Sequence, residues 1–177
     1  MERKIVKTGD GSTTIQLTEW NEQYHSMHGA VQEARHVFLK MGLDFWMNEN
    51  PDQNSLHILE IGFGTGLNAL LTLMHAEKSS VNLLYEGVEA YPVSSEELAQ
   101  LNYLEAADAQ VFEAVFEKMH QTPWEQTEII TEAFQLKKRK QTFETLEDQD
   151  QHDLIYFDAF GARVQPELWE EPIFEKM

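Results

Sequence analysis

Three glycines at alternate positions, Gly62, Gly64 and Gly66, interrupt the stretch "HILEIGFGTGLN" (57–68) between an apolar run rich in β-formers and a helix-like segment. A strand that becomes a helix within a few residues leaves unpaired backbone N–H groups at the helix start. Glycines there let a ligand approach without meeting a Cβ. The stretch therefore constrains the chain to an α/β fold with a ligand loop at one strand tip.

The rest of the chain supplies matching elements. "SLHILEI" (55–61) reads as a buried strand and "LNALLTLMHAEK" (67–78) as the helix after the turn. "SVNLLYEGVEA" (80–90) reads as the next strand, ending at Glu89, and Pro92 and Ser94 open a helix in "SSEELAQLNYL". Strand and helix alternating at these lengths imply parallel strands with right-handed crossovers. The region around "AQVFEAVFEKMHQ" reads as helical, 128–143 as one or two strands, and "HDLIYFDAF" (152–160) as a strand closing on Asp158. "QPELWEEPIFEKM" begins a helix.

Upstream, "KIVKTGDGSTTIQL" (4–17) reads as a hairpin turning at Gly9, Asp10 and Gly11. A following helix presents Val31, Ala34, Phe38, Met41 and Phe45 at three- and four-residue spacing, which predicts one apolar face. It stops near Pro51. The expected organisation is one structural domain, with a hairpin and helix (1–54) packed on a Rossmann-like core (55–177) that is cut short after its fourth core strand.

The pattern of glycines selects among ligands. A pyrophosphate site of the G-x-G-x-x-G type wants a glycine where Leu67 stands, and no lysine follows for a phosphate loop. Glu89, at the tip of the second strand, is placed to accept hydrogen bonds from both ribose hydroxyls, although an acidic chain also scatters glutamates through loops. Asp158, at another strand tip, is placed to accept an N–H from a substrate amine and to favour a developing ammonium. A turn cap is the plainer role for it. Phe160 and Trp169 are candidates for stacking on a base, and Tyr156 and Phe157 for the core.

The glycine turn, with Glu60 before it, resembles the first motif of S-adenosylmethionine-dependent methyltransferases with a Rossmann-like sheet. Three stretches, "YHSMHGAVQEARHVF" (24–38), "EIGFGTGLNAL" (60–70) and "DLIYFDAFGARVQPELW" (153–169), are together similar to the bacterial tRNA methyltransferase family that makes 5-methylaminomethyl-(2-thio)uridine at the wobble position. In some bacteria that domain is fused to an FAD-dependent oxidoreductase, and elsewhere it stands alone. The resemblance implies S-adenosyl-L-methionine as cofactor, with Glu60, Gly62, Gly64, Gly66, Glu89, Tyr24, Ser26 and Glu33 around it. It further implies Asp158 as the catalytic residue facing the amine of a tRNA substrate, with His25, Phe160 and Arg163 toward the base. A separate oxidoreductase acting on the same base is the implied partner. The family follows its D-x-F with a small residue and proline, where this chain has Gly161 and Ala162; Glu144 and Glu147 are candidates for the acid near adenine.

Composition bears on the partners. A formal net charge of -18 argues against nonspecific nucleic-acid binding, which needs clustered cations. Lys137, Lys138, Arg139 and Lys140 are consecutive, however, and read either as a solvated hairpin tip or strand end, or as a phosphate-facing patch. Without cysteine, without an apolar run long enough to span a bilayer and without a secretory pattern, the expected setting is cytoplasmic with no membrane contact. His25, His28 and His36 match no zinc spacing, so no metal is expected, and His36 reads as a packing histidine. Two other functions fit the residues: a small-molecule N-methyltransferase of the same fold, and a non-catalytic cofactor-binding or assembly module.

Overall fold

The computed structural model describes residues 2–79 and 81–177. Met1 and Ser80, the first residue of the predicted strand 80–90, lie outside the described residues.

The hairpin forms as the sequence predicts. Strands β1 (Arg3–Lys7) and β2 (Thr13–Leu17) pair antiparallel, and a short β3 (Glu22–Gln23) extends them to a three-stranded sheet. Asp10 organises the turn: its Oδ1 accepts from the Thr8 hydroxyl at 2.8 Å and the Ser12 N–H at 3.0 Å, while its Oδ2 accepts the Gln32 N–H at 2.9 Å. That last bond satisfies one of the donors left open at the start of helix α1 (Ala30–Ala34), so the hairpin caps the helix that follows it. Burial alone would raise the Asp10 pKa, but these donors hold it down at about 2.

The helix does not keep the predicted phase. Between α1 and α2 (Asp44–Glu49) the residues Arg35–Leu43 wind as a π-helix. Bonding to the fifth residue widens each turn, so the inward face moves off the three-and-four spacing. Val31, Ala34 and Phe38 are buried as expected, but Met41 and Phe45 are exposed; Leu43 is buried instead, with Leu39, Trp46 and Met47 packed against the core. The same slip puts His36 on the exposed face, where it is not a packing residue.

Strand β4 (Ser55–Ile61) leads into α3 (Leu67–Ala76), then β5 (Asn82–Val88). Short helices α4 (Ser95–Leu98) and α5 (Tyr103–Ala106) follow, with Ser94 and Glu97 forming a reciprocal capping box at the first. Helix α6 (Glu113–Gln121) precedes β6 (Thr127–Thr131) and β7 (Phe134–Arg139); β8 (Leu154–Phe157) and the single turn α7 (Glu171–Phe174) end the described elements. The sheet order is β6-β7-β5-β4-β8. Four strands are parallel, and β6 pairs antiparallel with β7. The stretch 128–143 is thus a hairpin that adds one reversed edge strand to an otherwise parallel α/β sheet.

Helix α3 is buried on nearly all sides, as an apolar-all-round helix must be. Leu67, Ala69, Leu70, Leu71 and Leu73 join Leu56, Ile58, Tyr85, Phe134, Leu136 and Tyr156 in the main core. Alternate residues of the same strands face the other way, where Leu59, Ile61 and Val88 meet Leu146, Phe143 and Phe157 in a smaller cluster.

Parity along β7 also decides the fate of the basic run. Lys138 points into the main layer, only 2% exposed, with its ammonium 5.0 Å from the Trp124 ring centroid and donating to the His120 carbonyl at 2.7 Å. Lys137 and Arg139 turn to the opposite face and pair with Glu86 at 3.3 and 3.2 Å. The run thus sits at the end of strand β7, as one of the expectations had it, but three of its four charges are tied to protein partners and form no phosphate-facing patch; Lys138 is buried, Lys137 and Arg139 are partly buried, and Lys140 alone is exposed.

Candidate active site

Strand β4 ends at Ile61, and Gly62, Gly64 and Gly66 all take positive φ, at 92°, 49° and 73°. Two of them also permit close contacts. A Cβ on Gly62 would stand 2.5 Å from the Asp158 carbonyl oxygen, and one on Gly64 would stand 3.0 Å from the Tyr24 ring. The turn is pinned to the tip of β5: Gly62 and Phe63 both donate to the Val88 carbonyl, at 3.0 and 2.9 Å.

Glu89 completes this pin. Its Oε2 accepts the Gly64 N–H at 3.0 Å and its Oε1 accepts the Tyr91 N–H at 2.8 Å. A carboxylate has about four acceptor positions, so half its capacity remains for a ligand. Glu89 thus shapes the glycine turn as well as lining the space above it.

Asp158 follows β8 directly, and its backbone N–H bonds the Ile61 carbonyl at 2.8 Å, which sets the carboxylate beside the glycine turn. Asn68, in the first turn of α3, donates one amide nitrogen to two acids, Asp158 Oδ2 at 2.8 Å and Glu60 Oε1 at 2.9 Å. Burial raises the Asp158 pKa to about 7, against the lowering effect of the Asn68 bond and with some help from Glu33. Burial, and then the neighbouring Asp158 charge, push the Glu60 carboxyl well above its ordinary value.

These residues surround one cavity of about 600 Å³, within the range of small-molecule sites. Gly62, Gly64, Asn68, Glu89 and Asp158 line it from the strand tips and the start of α3, Tyr24, His25, Ser26 and Glu33 from the segment after β3 and from α1, and Phe160 from the turn after β8. Six carboxylates face it, from Glu22, Glu33, Glu89, Glu144, Asp158 and Glu167, and among the described residues no Lys or Arg does. Such a lining suits a cationic ligand and disfavours pyrophosphate.

The other predicted positions divide. Tyr24 packs edge-on against Phe160, with ring centroids 5.3 Å apart, and the Ser26 N–H bonds Glu33 Oε2 at 2.7 Å. His25 lines the cavity, but its Nδ1 lies 3.1 Å from the Thr14 hydroxyl and burial lowers its pKa to about 4, so it stands there as a neutral, held ring. Glu60 and Arg163 do not line the cavity. Glu60 sits behind the wall, 1% exposed, and Arg163 donates to Glu22 at 3.0 and 2.6 Å and to the Trp20 carbonyl at 2.9 Å. Glu144 lines the cavity and exposed Glu147 does not. Trp169 packs on Phe157 and donates to the Phe160 carbonyl at 2.8 Å, bracing the turn after Asp158.

Sequence reasoning missed Asn68. Its only signal was a polar residue, fully surrounded by apolar ones, at the start of a helix that buries every face.

No family model matches the chain. The sequence is, however, similar to proteins named "tRNA 5-methylaminomethyl-2-thiouridine biosynthesis bifunctional protein MnmC". It is 28% identical to that of Methylobacillus flagellatus over 165 residues, 89% of this chain and 26% of the relative. The corresponding figures are 28% over 172 residues (90% and 28%) for Idiomarina loihiensis and 31% over 165 residues (85% and 24%) for Delftia acidovorans. A crystal structure of MNMC2 from Aquifex aeolicus superimposes with a TM-score of 0.74 at 23% identity, covering 99% of this chain and 57% of that one, and so shares the fold. Over 85–90% of its length, then, this chain is a relative of the bifunctional tRNA 5-methylaminomethyl-2-thiouridine biosynthesis proteins, of which it spans about a quarter.

Proposed function

We propose that the chain is an S-adenosylmethionine-dependent N-methyltransferase that converts 5-aminomethyl-(2-thio)uridine at the tRNA wobble position to its methylaminomethyl form. The observation that carries this reading is that Glu89 and Asp158, at the tips of the two strands that flank β4 and its glycine turn, line one acid-lined cavity. The spare acceptor positions of Glu89 fit ribose hydroxyls, and the surrounding carboxylates fit a donor that carries positive charge. When bound, that donor would supply an electrophilic methyl group on sulfur.

The chain's own groups would act on the acceptor. The amine must shed a proton either before its lone pair attacks or after the new C–N bond forms and the C–S bond breaks. Asp158, with a pKa of about 7, is matched to take that proton near neutral pH, and its charge favours the ammonium as it develops. The Asn68 amide fixes one oxygen of Asp158 and leaves the other for the substrate nitrogen. Tyr24 and Phe160 would wall the site against water.

A second reading has its own support. With Lys137, Lys138 and Arg139 committed internally, a small-molecule amine of the same chemistry suits the negative rim better than a polynucleotide. A cytoplasmic location and a separate FAD-dependent oxidoreductase acting on the same base belong to the tRNA reading.

The test is methyl transfer from labelled donor to tRNA carrying the aminomethyl base, with the nucleosides resolved by mass spectrometry and small amines run in parallel. The expected product is methylaminomethyl-uridine, made about 10²–10⁴-fold more slowly by Asp158→Asn with donor affinity kept within a few fold. Methylation of small amines alone would replace the tRNA reading with the second one, and donor binding without turnover on either would leave a non-catalytic module.

A further inference from the structure

On the far face of the sheet from the main core, three side chains distant in sequence come together. In the parallel register His57 of β4 stands opposite Leu84, and Glu86 lies two residues further along β5, so both project to the same face. His152 approaches from the segment before β8. His57 Nε2 is 3.2 Å from Glu86 Oε1, the two imidazole rings are 4.2 Å apart centre to centre, and one ligating atom from each of the three residues lies within 4.8 Å of the others.

Two features set this group apart from an ordinary ion pair. Both nitrogens of His152 are buried with no hydrogen-bond partner, a costly state for an imidazole and one that calls for a ligand. Glu86, in turn, is already oriented. Lys137 and Arg139 hold Oε2 at 3.3 and 3.2 Å, Arg139 is itself held by Asp148 at 2.8 Å, and Oε1 is left toward the histidines. Outer-shell bonds of this kind are what fix a metal-ligating carboxylate.

From this we infer that His57, Glu86 and His152 form a binding site for a divalent zinc-class ion, separate from the candidate active site. Two imidazoles and one carboxylate are a three-protein-ligand set that leaves a fourth position to water, and imidazole nitrogen selects zinc over magnesium or calcium. Ligands about 2 Å from one zinc stand about 3.3 Å apart at the tetrahedral angle. His57 and Glu86 already have that separation, and His152, with a ring nitrogen within 4.8 Å of both, would move closer to complete the other two edges. The ion would tie the segment before β8 to β4 and β5. The connection it shortens, from β7 to β8, carries Thr142, Phe143 and Glu144 into the active-site cavity, so the tie would order one wall of that cavity.

The test uses the untagged full chain stripped with a chelator and then titrated with zinc and, separately, cobalt. One zinc per chain by elemental analysis is expected, together with a melting temperature that rises with zinc concentration and the visible absorption of four-coordinate cobalt. His57→Gln and His152→Gln should each weaken zinc binding at least about tenfold, whereas His28→Gln and His36→Gln should not. X-ray absorption on the wild-type zinc form should show two imidazole ligands, a measurement that needs no variant to fold. No bound zinc at micromolar concentration, or binding unchanged in both site variants, would overturn the inference.

Discussion

Asn68 is the residue on which the acid chemistry turns. Its single amide nitrogen faces Glu60 and Asp158, and the bond to Asp158 opposes the rise that burial imposes on that carboxyl. Removing the bond with Asn68→Leu should raise the Asp158 pKa further, so the ascending limb of the pH–rate profile, expected near pH 7 in the wild type, should move to higher pH. A uniform loss of rate with an unmoved limb would mean that Asn68 serves packing alone. A second expectation concerns stability. The folded pKa of Asp158, about 7, lies above its ordinary value of 3.8, so wild-type folding binds a proton between these values and this contribution to stability falls as pH rises through that window. Asp158→Asn, which keeps an acceptor for Asn68 but has no charge to bury, should therefore be the more stable protein at pH 8, by on the order of a few kcal/mol, with the gap closing toward pH 4. Thermal melts across that range check it; equal stability at pH 8 would argue against a charged, buried Asp158. Glu89 and Asp158 were legible as strand-tip acids because apolar runs announce where strands end. Asn68 was not, since its meaning depends on two acids, one eight residues before it and one ninety residues after it, that the fold brings together.

At the level of elements, the cavity is bounded by two parts: a floor, the tips of strands in the five-stranded sheet, and a roof, β3 and the segment that follows it, carried by the β1–β3 sheet. The floor rests on two apolar layers. The roof buries only Ile15 and Leu17 among the apolar side chains of its strands, and it is tied down by polar bonds: Arg3 to the Tyr91 carbonyl at 2.8 Å, the Thr13 N–H to Asn102 at 2.7 Å, and Arg163 to Glu22. Such a segment opens at lower free energy than a packed core. Amide exchange should therefore be faster in Thr13–Leu17 than in Ser55–Ile61 or Asn82–Val88, and should slow when the methyl donor is added; equal protection throughout would refute a separable roof. The hairpin and the parallel arrangement of the central strands could be read from turn residues and apolar runs. The π-helical stretch could not, because the same apolar residues fit an ordinary helix and only packing against α3 and β8 selects the wider winding. The antiparallel pairing of β6 was likewise invisible, as "one or two strands" differ only in where a short turn falls.

For the molecule as a whole, charge and shape pull apart. A net charge of -18 reads as a repellent surface, and the one basic run reads as relief from it, yet three of its four cations are consumed inside the fold. Lys138, whose pKa burial lowers to about 8, packs on Trp124, a combination that no reading of charge along the chain would produce because strand parity, not hydrophilicity, decides which way each lysine turns. That inward turn has a bearing on how a polyanion could be served here. On the proposed reading, phosphodiesters approaching the mouth meet like charge while a protruding base with a cationic arm meets opposite charge. The protein would then sort the two ends of a single nucleotide by sign, admitting the part to be modified and holding the polymer itself at the threshold.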